Sequence, residues 1–233
     1  MAKASTVANS VLRALSRKDY QHMLARSEKV TLTYGDVLSE PGDHIQYVYF
    51  PSTGLISLLT PLEGHLSVEV GMVGQEGMAG MSLVLGIDIS PVRVLVQGSG
   101  SALRMKTAAF RRELKRNPVL QRELNQYLYV FMAQVVQTAA CNRHHVLDER
   151  LARWLLMTHD RIQANQFLLT QEFLAHMLGV RRVGVSKAAM LLQKKHLISY
   201  TRSHISILDR KGLERASCRC YEAVNELRDG MFH

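Results

Sequence analysis

The 233-residue sequence predicts an α+β fold in three consecutive parts. An antiparallel, jelly-roll-like β-roll comes first, then a long helix, then a helical region that ends in a small β-hairpin. Three observations carry this. Residues 29–105 hold short runs rich in Val, Ile, Leu and Tyr, punctuated by Gly, Pro, Asp and Ser. Residues 118–142 place apolar side chains three and four apart. Residues 170–208 set two helical patterns around Gly179 and follow them with apolar and polar residues in alternation.

Hydrophobic residues make up 47% of the chain and charged residues 21%. That excludes a disordered chain, and the length supports a core without cross-links. The three cysteines, Cys141, Cys218 and Cys220, are too few for a disulfide scaffold and imply a reducing, cytoplasmic setting. Residues 1–20 carry Lys3, Arg13, Arg17, Lys18 and Asp19, so no signal peptide is expected. The uncharged run Leu124–Asn142 contains Asn125, Gln126, Gln134, Gln137 and Thr138, too polar for a bilayer, and no membrane partner is expected.

Along the chain, Val7–Ala25 has a helical pattern through Val11, Leu12, Leu15, Tyr20, Met23 and Leu24. Strands are expected at Val30–Tyr34, Tyr47–Phe50, Leu55–Leu59, Leu66–Val70 and Val92–Val96. Turns are expected at Gly35-Asp36, Pro41–Asp43, Pro51-Ser52, Glu63-Gly64 and Gly98–Ser101. Thr107–Arg116 reads as a short amphipathic helix ending at Asn117-Pro118, where proline suits the opening of the next helix. That helix carries Leu120, Leu124, Tyr127, Leu128, Phe131 and Val135 on one stripe, flanked by Gln and Asn. Its length and flanks make those six residues the expected coiled-coil-like contact of a homodimer. Residues 142–146 break the pattern and are a candidate hinge. A helix follows near Leu147 with Asp148 and Glu149 in its first turn, where anions suit the helix dipole, and with Trp154 in the core. The expected domains are therefore 1–106, 107–146 and 147–233.

Charge is concentrated. The chain has a formal net charge of +9, yet Phe173–Leu208 contains no Asp or Glu and holds Arg181, Arg182, Lys187, Lys194, Lys195 and Arg202. Such a patch points to a polyanion partner, nucleic acid first and an anionic membrane second. The same stretch has an N-cap at Thr170, a buried face of Phe173, Leu174, Met177 and Leu178, and a glycine turn at Gly179. A second helix of about 182–195 follows, with Val185, Ala188, Ala189, Leu191 and Leu192 inward and Arg181, Arg182, Gly184 and Lys187 outward. This is the helix-turn-helix pattern, and Leu197–Leu208 reads as the hairpin wing beside it.

These stretches together resemble the Crp/Fnr family of bacterial transcription regulators. The resemblance rests on Val48–Phe50 with Pro51 and Gly54, on Val73–Gly77, and on Asp148–Ala152. It continues through Leu169-Thr170 to Leu197-Ile198 and through Ile205–Arg210 with Gly212 and Leu213. It runs nearly end to end and is most specific in the helix-turn-helix. It implies a cyclic-nucleotide-binding-like sensor β-roll, a dimerisation helix and a winged helix-turn-helix. The implied activity is that of a cytoplasmic homodimeric regulator of transcription that binds double-stranded DNA, works with RNA polymerase and is not an enzyme.

By the same likeness, Arg182, Val183 and Lys187 fall at base-reading positions; Arg and Lys suit guanine O6 and N7. Val183 departs from the glutamate that many members carry there, so a different half-site is implied. Thr170, Gln171, Arg181, Ser186 and Arg202 are expected phosphate contacts. In cyclic-AMP-binding members a Gly-Glu turn and a following Arg-Ser hold the phosphate. Here Gly74, Gln75, Glu76 and Gly77 supply the turn, but Ser90-Pro91 stands where the arginine would be and only Arg93 is near. The effector small molecule is thus expected to be something other than cyclic AMP, or absent.

No cofactor is expected, because iron–sulfur sensing needs about four thiolates and all three cysteines lie outside the β-roll. No metal is expected either: Cys141 with His144 and His145 has no fourth ligand in sequence reach. Two rival readings exist. A cupin-like metal-dependent enzyme would need clustered histidines, and only His44 and His65 are near. A ligand-gated protein-interaction module would not need the acid-free patch.

Overall fold

The computed structural model describes residues 7–62, 67–201 and 203–231. The chain divides into two compact units, Met1–Leu58 with Met72–Tyr129, and Leu59–Gly71 with Val130–His233.

In the first unit the expected N-terminal helix is two pieces, α1 (Ser10–Arg13) and α2 (Arg17–Leu24). Ser16 interrupts them: its backbone is extended, at ψ 152°, and its hydroxyl accepts the Asp19 N–H as the cap of α2. The strands are β1 (Ser27–Leu32), β2 (Val37–Ser39), β3 (Tyr47–Pro61), β4 (Ser67–Val73) and β5 (Arg93–Lys106). They form one sheet in the order β1-β5-β3-β4, with β2 also on β5. β1 and β5 are antiparallel, with Ser27 opposite Met105 and Leu32 opposite Gly100.

Two of the strands, β3 and β5, run longer than the punctuation predicts. Tyr47–Phe50 and Leu55–Leu59 are a single strand, and Gly98–Ser101 lies inside β5. The glycines there serve close approach rather than chain reversal. A Cβ on Gly100 would run into the Thr53 backbone, and one on Gly54, at φ +89°, would sit 2.6 Å from the Gly98 carbonyl oxygen.

The core of this unit gathers Phe50, Leu55, Ile56, Met78 and Met105, all nearly inaccessible, with Phe110 of α3 (Thr107–Arg116) stacked obliquely on Phe50 at 6.3 Å. Glu113, also on α3, is buried and is held by His22, Arg26 and Arg116 at 2.9–3.3 Å. A buried carboxylate needs such partners to offset its lost hydration. Asn117 accepts the N–H groups of Val119 and Leu120 and so opens α4 (Pro118–His144), two residues longer than the stripe predicts.

The second unit is built on α5 (Leu147–Ile162), whose residues 151–158 are all buried. It packs against α7 (Arg182–Lys194), α8 (Arg210–Ala216) and α9 (Cys220–Met231). β6 (Gln166–Leu168), β7 (Ile198–Thr201) and β8 (His204–Ile207) form a three-stranded antiparallel sheet in the order β6-β8-β7, with Phe167 and Tyr200 both opposite Ile205. The β7–β8 hairpin is the expected wing. β6 was not legible in the sequence, because three residues are too few to show alternation. Trp154 is core, as expected. Its indole N–H donates to the buried Glu69 carboxylate of β4 at 2.9 Å.

Replacing Gly100 with Ala should destabilise the chain by about 1–3 kcal/mol, because the new methyl meets backbone that cannot rotate away. The expected readout is a lower urea midpoint at unchanged slope.

Candidate nucleic-acid interface

Helix α6 (Gln171–Leu178) begins where Thr170 accepts the Phe173 N–H with its hydroxyl, 3.0 Å away. It stops at Gly179, whose left-handed backbone (φ +62°) reverses the chain, and the Val180 N–H closes the turn on the Ala175 carbonyl at 2.9 Å. Arg181 is extended, and α7 starts at Arg182. Leu174, Ala175, Met177 and Leu178 of α6 are buried, as are Val185, Ala188, Ala189 and Leu192 of α7.

The opposite face of α7 is free. Arg182, Val183, Lys187, Met190, Leu191 and Lys194 are exposed, with Val183 at 66%. Leu191 was expected inward and is instead 46% exposed. It lies four residues after Lys187 and shares that side chain's face, a spacing the apolar count overrode. Gly184 is half-buried rather than outward. Arg181 and Lys195 are exposed beside this face, so five cations of the acid-free stretch reach solvent together. Arg202 lies outside the described residues.

Gln171 and Ser186 meet. The Ser186 hydroxyl donates to the Gln171 side-chain oxygen at 2.6 Å and bridges the two helices. Their first role in the structure is thus to set the angle of α7, with polar atoms left half-exposed at the edge of the basic face.

The expected effector residues are not assembled as a pocket. In the turn after β4, the Gly74 N–H is taken by the Glu76 carboxylate at 3.2 Å and the Gly77 N–H by the Gly74 carbonyl at 3.2 Å. The Gln75 carbonyl accepts the Ser10 N–H at 2.7 Å, and the Gly77 carbonyl accepts Asn9 Nδ2 at 2.8 Å. The Tyr127 ring occupies the space in which a Cβ of Gly77 would lie. Two donors that would cradle an anion are therefore already used. Arg93 is exposed and paired with Glu40 at 2.8 Å, a surface ion pair.

The expected dimer stripe also needs correction. Leu120, Leu124 and Tyr127 are buried within the first unit and present no free face. Leu128, Phe131 and Val135 are half-buried, with the Phe131 ring against Gly71. The exposed apolar row on α4 is Tyr129, Met132 and Val136 at 47%, 58% and 64%, one step around the helix. Periodicity finds an apolar stripe but does not say whether the chain's own core or a partner covers it.

His44 is exposed beside Asp88, and His65 lies outside the described residues. The one group of potential metal ligands among the described residues is Cys141, His145, Cys218 and Cys220. Sequence reasoning had Cys141 and His145 but not the two distant cysteines that the fold brings to them. Their one-residue spacing, Cys218-Arg219-Cys220, was the available signal.

The arrangement of α6, α7 and the wing defines a winged helix-turn-helix DNA-binding domain. Residues 149–216 match the Crp-like helix-turn-helix domain, and the chain as a whole has the fold of the Crp/Fnr transcriptional regulators. A CRP/FNR-family regulator from Thermus thermophilus is 22% identical, with 82% of this chain and 98% of that one aligned at a TM-score of 0.66. FixK2 from Bradyrhizobium japonicum is 14% identical over 82% of this chain and 98% of its own, with a TM-score of 0.67. The c-di-GMP responsive global regulator CLP of Xanthomonas campestris is 15% identical over 83% and 100%, with a TM-score of 0.66. No curated protein sequence matches the chain. Among the described residues no helix is long and apolar enough to cross a membrane.

Proposed function

We propose that the protein is a homodimeric, sequence-specific regulator of transcription that reads double-stranded DNA through α7 and acts without catalysis, in the cytoplasm and together with RNA polymerase. The observation that carries this is the exposed, acid-free N-terminal half of α7, with Arg182, Val183 and Lys187 side by side behind the Gly179 turn. Helix-turn-helix domains set the start of their second helix against base edges in the major groove. In this reading Arg182 and Lys187 donate to guanine, and the exposed Val183 methyls pack on a thymine methyl. Thr170, Gln171, Arg181 and Ser186 lie along the phosphate backbone, with Arg202 of the wing added from the sequence. Selection of bound duplexes from a random pool tests the reading; a pool that stays random after several rounds overturns it.

Dimerisation follows from the free row on α4. Tyr129, Met132 and Val136 are large, apolar and exposed at helical spacing, the mark of a covered surface. Leu128 and Val135 flank the row and contribute their half-exposed edges. The domains of the working molecule are the sensor at 1–106, the dimer helix and hinge at 107–146, and the DNA-binding domain at 147–233.

The effector is a separate matter. The fold alone does not choose it, since a chain of the same fold from Xanthomonas campestris responds to c-di-GMP. Two of the N–H donors of the Gly74–Gly77 turn are engaged and Arg93 pairs with Glu40, so the protein senses a molecule other than cyclic AMP or is controlled by its own abundance.

Three outcomes are expected. Truncating Arg182 or Lys187 to Ala should cost about 1–3 kcal/mol on the selected site and relax preference at one base pair, whereas Arg181→Ala should weaken all sequences alike and flatten the salt slope by about one unit. Competition gel shifts at two salt concentrations separate these. Met132→Asp would bury an unpaired carboxylate between helices at a cost of several kcal/mol, so light scattering should find a monomer, and affinity for the two-half-site operator should fall with it. Calorimetric titration with cyclic AMP should give no saturable heat in the micromolar range.

A further inference from the structure

Cys141 is in the last turn of α4 and His145 is the first residue beyond it; the His145 N–H still bonds the Cys141 carbonyl at 3.1 Å, which keeps the two side chains on one side. Cys218 sits just after the last turn of α8, and Cys220 opens α9. More than 70 residues of chain separate the two pairs, yet the four donor atoms all lie within 4.8 Å of one another. The Cys141 and Cys218 sulfurs are 3.5 Å apart, and Cys220 Sγ is 3.5 Å from His145 Nδ1. The three cysteines are buried, at 1%, 5% and 2% exposure.

We propose that these four side chains are a structural binding site for a tetrahedral, thiophilic divalent cation of the zinc class, joining the end of α4 to the α8–α9 junction. Zinc–sulfur bonds of about 2.3 Å place tetrahedral sulfurs about 3.8 Å apart, and a sulfur and an imidazole nitrogen about 3.5 Å apart. The Cys141–Cys218 and Cys220–His145 separations, 3.5 Å each, are near those values, and no pair exceeds 4.8 Å. A disulfide would need about 2.05 Å between sulfurs, so the Cys141–Cys218 pair is spaced for a shared ion rather than for a bond. Three sulfurs and one nitrogen form a closed set with no position left for water or substrate, which is the pattern of structural and not catalytic zinc.

The surroundings match an anionic complex. Three thiolates around a divalent ion carry one surplus negative charge. Arg153, only 6% exposed, reaches Thr138 with one guanidinium nitrogen and has no hydrogen-bond partner for its Nε among the described residues. Its guanidinium charge acts on the Cys141 sulfur. Gln137 Nε2 donates to Cys220 Sγ at 2.9 Å, an outer hydrogen bond of the kind that orients metal ligands. The N-terminal turn of the twelve-residue α9 adds its dipole at Cys220. His144 is adjacent in sequence but exposed and outside the group.

The ion would fasten the end of α4, where the helix gives way to α5, to the C-terminal helix of the DNA-binding unit. Metal content would then set how firmly that junction is held, because binding to the folded form adds directly to stability.

The test uses the full chain, reduced and stripped of metal with a chelator. Titration with Co(II) should show uptake of one ion per chain, with the strong visible bands of tetrahedral cobalt and a near-ultraviolet thiolate band that Zn(II) then abolishes. Native mass spectrometry should find one zinc per chain, and the thermal midpoint should rise with equimolar Zn(II) and return on chelation. Cys141→Ser and Cys220→Ser should weaken uptake by more than the roughly 10–100-fold that loss of an outer hydrogen bond such as that of Gln137 costs. His144→Ala should leave it unchanged. The wild-type spectra and masses stand even if a cysteine variant fails to fold. Pale octahedral cobalt spectra, no retained zinc, or formation of a Cys141–Cys218 disulfide in air despite equimolar zinc would overturn the proposal.

Discussion

The second unit depends on one buried helix. α5 is enclosed along eight consecutive residues, Leu151–Thr158, so everything around it has to supply an apolar face or a polar partner. α7, α8 and α9 supply faces. Glu69 supplies a hydrogen bond to Trp154, and Thr138 one to Arg153. A helix buried on all sides cannot shift without disturbing every neighbour, because close-packed interiors have no slack. The orientation of α7, and with it the basic face, follows from that constraint.

The same logic separates the two halves of α4. Its first turns are covered by the chain's own core, through Leu120, Leu124 and Tyr127. Only from Tyr129 onward does it offer a free apolar row; its last turn carries Cys141, and His145 follows just beyond its end. One helix thus combines an internal packing element, an unpartnered face and a cross-link point. The Tyr127 ring, by filling the space over Gly77, also closes the turn that the resemblance marks for an effector.

The basic face of α7 owes its form to local chemistry and its charge to an omission. The Thr170 cap, the left-handed Gly179 and the Ser186–Gln171 bond set the two helices, while the lack of any carboxylate from 173 to 208 leaves the cations there without neutralising neighbours in sequence. Screening in salt weakens such a field but does not reverse it, which suits a partner that is itself a dense polyanion.

By itself the sequence determined the order of the parts, the ends of α3, α6 and α7 to within a residue, the wing, and the exposure of Arg182, Val183 and Lys187. These are encoded by short-range rules: caps, a glycine that tolerates positive φ, proline at a helix start, and helical spacing. Tertiary structure decided what lies far apart along the chain. It made two long strands of what look like several short ones, because Gly54 and Gly100 relieve a close crossing that no neighbouring residue announces. It put Leu120 and Leu124 in the core and left Met132 and Val136 outside, a choice that periodicity cannot make. It engaged the Gly74 and Gly77 N–H groups within their own turn, and it brought Cys218 and Cys220 to Cys141 and His145. In each case the deciding contact joins residues whose distance along the chain exceeds the reach of any local pattern, so only the packed fold could reveal it.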